Sequence, residues 1–303
     1  MFTRQKIVLN LLDIANCEVS SLQLQKLMFL YSLTAGQQNR VYDFVPHKFG
    51  CYSFTLHQDQ RKLEDMRLIK VRRPYGADYS FISLIKPKFV PIIKKETREK
   101  LQLLVRKFIG LSESELIAQV YEKKPYYAIR SDILSHFDKN KTLLEKIDLL
   151  QTKFGNEKHC LYTIGYEKKS LESFINELIV HNIKLVVDVR RNAYSMKPNF
   201  KGFELENILE KTDIDYVHIP EIGIASEDRK TFLPQGQREE LFRLYYDSLT
   251  EKKNFVDKVI EYYQQGNIAL MCFELNPKDC HRLQLAKFCK ANYPDDEIEI
   301  CNI

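Results

Sequence analysis

Glycine is scarce in this chain, with ten residues in 303, and neither G-x-G-x-x-G nor G-x-x-x-x-G-K-[ST] occurs. Dinucleotide and P-loop nucleotide binding in the usual manner need glycines so that backbone can approach phosphate, and neither has support here. No apolar run approaches the roughly 20 residues needed to span a bilayer. The opening Met1-Phe2-Thr3-Arg4-Gln5-Lys6 leads into an amphipathic pattern, not a signal-peptide core. The seven cysteines, at 17, 51, 160, 272, 280, 289 and 301, form no CxxC pair. An odd, scattered set fits a reducing compartment better than a disulfide framework. Internal repeats and low-complexity tracts are also missing. The expectation is a cytoplasmic chain with no membrane partner.

What is present is enough for a sizeable core: 44% of the residues are hydrophobic, and the length predicts more than one domain. The net charge of +5 sets 46 basic against 41 acidic residues. Only local clusters could make a nucleic-acid patch from so even a balance.

Residues 1–88 read as helices followed by a hairpin. Ile7, Leu11, Leu12 and Ile14 predict one helix, and Leu22, Leu24, Leu27, Met28, Leu30 and Tyr31 a second, capped by Ser20-Ser21. A third is expected over about Thr55 to Arg67, with Leu56, Leu63 and Met66 inward and His57, Gln58, Gln60, Arg61 and Lys62 outward. Leu68 to Arg72, a turn at Pro74-Tyr-Gly-Ala-Asp78, and Tyr79 to Ile85 then read as a two-stranded hairpin. This is the outline of a winged helix. Arg61, Lys62, Arg72 and Arg73 are its candidate nucleic-acid contacts; a solvated face on a protein-binding module is the other reading. Leu22-Gln-Leu-Gln-Lys-Leu-Met-Phe-Leu-Tyr31, Pro46-His-Lys-Phe-Gly-Cys-Tyr-Ser53 and Leu56-His-Gln-Asp-Gln-Arg-Lys-Leu63 together resemble the antitoxin-like Panacea domain and related winged-helix modules. That resemblance implies recognition of DNA or of a protein partner.

Residues 89–155 are charged and read as a helical connector, with helices over Arg98 to Ile109 and Ser112 to Tyr121 and a polar one from Lys139 to Lys153. Lys123-Lys-Pro-Tyr-Tyr-Ala-Ile-Arg-Ser131 interrupts them, as either a tyrosine-anchored brace between domains or a stacking surface for a nucleic-acid strand.

From residue 156 the rhythm changes to alternating strands and helices. Strands are expected at Leu161–Gly165, Ile183–Val189, Ile214–Ile219, Asn267–Phe273 and Glu297–Cys301. Helices are expected at Ser170–His181, Phe203–Lys211, Gln237–Gln264 and Cys280–Asn292. Such a βαβ series predicts an α/β fold, Rossmann-like and doubly wound, with a mostly parallel sheet. Ligands bind such sheets outside the carboxyl ends of the strands. Four loops deliver polar residues there: Gly165, Tyr166 and Lys168 to Ser170; Asp188 and Arg190 to Asn192; His218, Glu221 and Gly223; and Cys272, Glu274, Cys280, His281 and Arg282.

Tyr162-Thr-Ile-Gly-Tyr166, Ser170-Leu-Glu-Ser-Phe174, Val187-Asp-Val-Arg190, Tyr216-Val-His-Ile-Pro-Glu-Ile-Gly223 and Cys272-Phe-Glu274 with Cys280-His-Arg282 resemble the domain-of-unknown-function family 488 over about residues 160–303. The resemblance implies a Rossmann-like domain tied to nucleic-acid or nucleotide processing, without an established reaction. The matching positions are Gly165, Asp188, Arg190, Pro220, Glu221, Gly223, Glu274, Cys280, His281 and Arg282. Tyr166 departs from the histidine expected there.

Glu274 is the candidate base or cation-stabilising group, His281 the proton carrier, and Asp188 an assisting carboxylate or divalent-ion ligand. Arg190, Arg191 and Arg282, with Lys197, are the candidate anion clamps. Gly165, Tyr166, His218, Glu221, Cys272 and Cys280 support them. Buried Asp–Arg and Glu–Arg pairs that merely fix the loops are the structural alternative. Val187-Asp-Val-Arg190 also resembles a rhodanese sulfurtransferase strand, which raises a persulfide on Cys272 or Cys280. The amide cradle that would follow such a cysteine is missing. A zinc site from Cys272, Cys280, His281 and Cys289 lacks the short knuckle spacing. The sequence names no cofactor. The pattern suits a glycosidic or base-modifying step on a phosphate-bearing, nucleotide-like ligand. The competing class is a regulator in which the α/β domain senses a small anion and the N-terminal domain binds DNA or protein.

Overall fold

Ser20 begins the second helix with a reciprocal cap: its hydroxyl accepts from the Gln23 backbone N–H, and the Gln23 side chain accepts from the Ser20 N–H. The computed structural model describes residues 1–36, 40–76, 79–85, 90–155, 158–232 and 236–303, which divide into two compact units, 1–152 and 153–303. The turn positions Ala77 and Asp78 and the expected boundaries at 88/89 and 155/156 touch residues outside that set.

The first unit runs α1 (Thr3–Ala15), β1 (Val19–Ser20), α2 (Ser21–Ala35), β2 (Val45–His47), β3 (Gly50–Tyr52), α3 (Phe54–Asp65), β4 (Ile69–Arg72), β5 (Phe81–Leu84), α4 (Lys95–Phe108), α5 (Glu113–Lys123) and α6 (Lys141–Gly155). Strands β1, β5 and β4 form an antiparallel sheet in that order, with Val19 opposite Ile82 and Ile69 opposite Leu84. α3 departs from its expected faces. Met66 lies past the helix end and is 50% exposed, because Arg67 takes a left-handed φ of 56° and turns the chain outward. Gln60 is buried instead of solvated. Next to it, buried Asp59 accepts from Gln5 and Tyr42 and pairs with Arg4.

The helices expected as a connector pack into the first unit. Leu101, Leu104, Val105, Phe108, Leu116, Ile117, Val120, Leu143 and Ile147 enter the same apolar cluster as α1 and α2. Tyr127 sets its ring edge-on to Phe29 at 4.6 Å, and Tyr121 donates to Ser131 at 2.6 Å, so these tyrosines bind the first unit to itself.

The second unit runs β6 (Leu161–Gly165), α7 (Leu171–Val180), β7 (Leu185–Asp188), α8 (Gly202–Glu210), β8 (Asp215–His218), α9 (Ser226–Phe232), α10 (Arg238–Ser248), α11 (Lys253–Gln265), β9 (Ile268–Cys272), α12 (His281–Asn292) and β10 (Ile300–Asn302). The five strands are parallel in the order β10-β6-β9-β7-β8. This is the expected α/β architecture, and β6 and β9 are buried along their whole length, as a sheet covered on both faces requires. The single helix expected over Gln237–Gln264 is two. Leu249 plunges fully into the core, and three-residue turn bonds from Leu249, Thr250 and Lys252 break the ladder although no glycine or proline intervenes. α9 is an element that the sequence pattern did not announce. Among the described residues, no helix is long and apolar enough to cross a membrane.

The order places β9 between β6 and β7. The chain leaves β6 toward β7 and leaves β9 in the opposite direction toward β10. The carboxyl ends of these three central strands are therefore where a parallel sheet opens a crevice.

Candidate functional site

β9 ends at Cys272. The chain then passes Glu274, turns at Asn276, whose side chain accepts from the Lys278 N–H at 3.1 Å, runs through a short 3-10 turn at Pro277–Asp279, and enters α12 with Cys280 as its N-cap. The reversal folds an eight-residue separation back on itself. His281 Nδ1 lies 3.8 Å from the sulfurs of both Cys272 and Cys280, and all three residues are buried. His281 Nε2 donates to the Val189 carbonyl at 2.9 Å, so the proton sits on Nε2 and the Nδ1 lone pair faces the sulfurs.

The Glu274 carboxylate closes the outer side of this nest. Its Oε2 accepts from the Cys272 thiol at 3.4 Å, its Oε1 lies 3.9 Å from Arg229, and its side chain keeps 28% exposure. Burial raises the Glu274 pKa, but hydrogen bonds from Cys280 and its own backbone, with Arg229 and Cys272 adding to them, bring it below the usual value. Cys280 goes the other way. Burial, and then the neighbouring Cys272, push its thiol well up, so it is not the activated thiolate that a persulfide-forming cysteine needs.

Arg282 holds this loop from beneath. It is fully buried, with Nη1 donating to the Glu274 carbonyl at 2.6 Å, Nη2 to the Leu275 carbonyl at 3.2 Å and Nε to Thr163 Oγ1 at 3.4 Å. Gly165 completes the seat, since a Cβ there would lie 1.9 Å from the Glu274 carbonyl oxygen. β6 therefore needs glycine at its end for the loop after β9 to close over it.

A second buried group lies at the end of β7. Arg190 grips Asp188 through Nε at 2.8 Å and Nη2 at 2.5 Å, and donates from Nη1 to Tyr166 Oη and the Phe200 carbonyl, both at 2.9 Å. Tyr216 donates to Asp188 at 2.6 Å, and Tyr166 stacks on Phe200 with centroids 4.4 Å apart. Burial lowers the Arg190 pKa, but the Asp188 partnership outweighs it and the net movement is upward. Asp188 has no exposed surface. These two charges answer each other, which is the structural alternative the sequence left open. Lys197 likewise spends its ammonium on the Tyr166 and Lys169 carbonyls, at 2.9 and 3.2 Å.

All four expected loops meet. Tyr166 reaches Arg190, His218 Nε2 sits 2.7 Å from the Arg190 carbonyl, a Cβ at Gly223 would lie 2.4 Å from the Arg191 nitrogen, and His281 bonds to Val189. Glu221 is half-buried on the loop after β8. Cys289 is not among the residues brought together. It packs into the apolar cluster under α12, and burial pushes its thiol up to about 12.

The open side of this region is basic. Arg191 is exposed, with one bond to the Pro220 carbonyl at 3.2 Å. Arg229, on α9, faces Glu274 and stands 3.4 Å from His281 Nδ1. Lys252, in the turn between α10 and α11, has its pKa lowered by burial and then by Arg191. Exposed Phe273 and Leu275 flank Glu274, and exposed Tyr194 and Met196 stand on the loop after β7. Sequence reasoning missed Arg229 and Lys252, which lie in the β8–β9 connection: Arg229 falls where no element was expected, and Lys252 falls inside the single helix expected over Gln237–Gln264.

No protein of curated function matches the chain. The family model for the Domain of unknown function DUF488 matches residues 170–289. The matched stretch begins beyond Tyr162–Tyr166 and ends within α12, so it contains the Asp188–Arg190 pair and the whole cysteine-histidine nest. Over that stretch the second unit is similar to the Domain of unknown function DUF488.

Proposed function

We propose that the second unit is an enzyme acting on a phosphate-bearing, nucleotide-like substrate by a glycosidic or base-modifying hydrolysis. Glu274 takes a proton from the attacking water, whose oxygen bonds to the substrate carbon as that carbon's bond to the leaving nitrogen breaks, and returns the proton to that nitrogen; Arg191, Arg229 and Lys252 hold the phosphate. One observation carries the reading: a partly exposed carboxylate, paired with a partly exposed arginine, stands just past the end of the central strand of a parallel sheet. The exposed Phe273, Leu275, Tyr194 and Met196 supply apolar surface on which a base can stack. Asp188, Arg190, His281 and Arg282, bonded to protein groups, position the loops.

The first unit is proposed as a winged-helix module that recognises nucleic acid or a protein partner. Support comes from the β1-β5-β4 sheet beside α3, the basic hairpin with Lys70, Arg72 and Arg73, and the Panacea resemblance.

The test is product detection by mass spectrometry after incubation with nucleotides, single-stranded and duplex DNA, and RNA. A released base or altered nucleotide is expected from the native protein. Glu274→Gln should lower turnover by about 10²- to 10⁴-fold with substrate binding retained. A second reading is favoured by the saturation of Asp188, Arg190 and Arg282: the same basic mouth senses an anion without turning it over. Nucleotide binding that alters the first unit's affinity for DNA, with no product, would replace the enzyme by the sensor.

A further inference from the structure

We propose that Cys272, Cys280 and His281 bind a divalent transition-metal ion, zinc by ligand preference, with the fourth position opening toward Glu274. This goes beyond the reaction proposed above and stands or falls separately from it.

The donor set is one that zinc favours, two sulfurs and an imidazole nitrogen. Their three donor atoms all lie within 4.8 Å of one another. Zinc bonds of about 2.3 Å to sulfur and about 2.0–2.1 Å to nitrogen, at tetrahedral angles, put sulfur and nitrogen about 3.6 Å apart. Both sulfur–Nδ1 separations here are 3.8 Å. Glu274 Oε2 lies 3.4 Å from Cys272 Sγ, beside the three close-set donors and not among them. Three vertices of a tetrahedron are in place, and Glu274 borders the fourth from the Cys272 side.

Orientation argues in the same direction. Metal-ligating histidines ordinarily donate the other ring N–H to a carbonyl or carboxylate, and His281 does so to Val189 at 2.9 Å. The ring is held further by Tyr245, edge-on at 5.3 Å. Arg282 fixes the backbone between the two cysteines, so the sulfurs are delivered by a rigid loop. The charges also balance. Each cysteine gives its proton to solvent on binding, and two thiolates then neutralise a divalent ion. Arg229 Nη2, 3.4 Å from Nδ1, would have to release that lone pair to the ion, and Glu274, 3.9 Å away, is the partner it would keep. Among the described residues a second cluster, Cys160, Glu299 and Cys301, fails the same geometric test: its sulfurs are 2.7 Å apart, too close to straddle an ion.

Three inner ligands with an outward fourth position are the arrangement of a catalytic zinc site, whereas structural sites are closed. Protein purified without chelator and reduced is expected to carry about one equivalent of zinc per chain by mass spectrometry. Replacement with cobalt(II) should give the near-ultraviolet absorption of thiolate-to-cobalt charge transfer. Cys272→Ser should lower that absorption by about half and weaken metal retention by at least tenfold. Glu274→Gln should keep both the metal and the thiolate absorption. Circular dichroism of Cys272→Ser checks folding. Should that variant not fold, the cobalt spectrum of the native protein and of Glu274→Gln decides alone. Cobalt bound without thiolate absorption, metal content unchanged in folded Cys272→Ser, or a Cys272–Cys280 disulfide persisting in reductant would each overturn the site. Metal-loaded protein lacking any Glu274-dependent turnover would sink the reaction and leave the site standing.

Discussion

The guanidinium of Arg282 holds the main chain of Glu274 and not its carboxylate: Nη1 donates to the Glu274 carbonyl at 2.6 Å, while the carboxylate turns outward to Cys272 and Arg229. A residue that looks like an anion clamp in sequence is a rivet in the fold. Arg282→Lys cannot span two carbonyls, and Arg282→Ala leaves both short of their partner. A loss of about 2–4 kcal/mol is expected in urea unfolding for Arg282→Ala, with a smaller loss for lysine. Stability equal to the native protein's would show that the grip is dispensable.

Gly165→Ala should be felt at the same loop from the other side. Its new methyl would meet the Glu274 carbonyl oxygen at 1.9 Å, and the obstacle is backbone, so the loop itself must shift. A cost of about 1–3 kcal/mol is expected. The outcome is read as a lowered melting temperature together with faster amide exchange at 274–276. Gly110→Ala, where a Cβ meets nothing within 4 Å, is the control.

Cys289 gives a pH-dependent signature. Burial raises its thiol from 9.0 to about 12 in the folded protein. A raised folded pKa means the protonated form is the one the fold favours. Its contribution is complete below pH 9.0 and is lost as the pH rises toward about 12. The stability difference between the native protein and Cys289→Ala should therefore shrink from neutral pH to about pH 10.5. A flat difference across that range would refute the assignment. Maleimide should meanwhile label exposed Cys17 well before Cys289.

In the first unit Arg72 pairs with Glu18 and Arg73 with Glu64, both at 2.7 Å and both in solvent. Exposed pairs such as these are worth about 0–1 kcal/mol, so phosphate can compete for both arginines. If the hairpin binds nucleic acid, an Arg72→Ala/Arg73→Ala double variant should weaken binding for every sequence tried. The slope of log K against log salt should fall by about 2. An unchanged slope would remove the hairpin from the interface.

The strands of the second unit were legible because each is a short β-branched or apolar run between turn signals; Leu185–Asp188 and Ile268–Cys272 are examples. Polar residues at strand ends were legible for the same reason, and four loops do meet there. Direction was not. Whether Asp188 faces a ligand or Arg190 depends on where Tyr166, Phe200 and Tyr216 come to rest, and those residues are scattered along the chain. The closeness of Cys272 to Cys280 was hidden by their separation, which exceeds a zinc knuckle until the Asn276 turn folds it back. α9 has too few residues to show a period, so Arg229 carried no signal. The break at Leu249 has no local cause at all, since it is set by the core into which that side chain drops.

The strand order also fixes when the nest can form. β6 pairs only with β9 and β10, so Leu161 waits for Ile268 and Ile300 before it has a neighbour on either side. Through most of the synthesis of this unit an apolar strand stands with both edges open, a condition that invites pairing with other chains. Closure by β9 resolves it, and the same strand brings Cys272 into place. Completion of the sheet and completion of the site thus rest on the same strand, and a chain truncated before β9 would keep at most the β7–β8 pair.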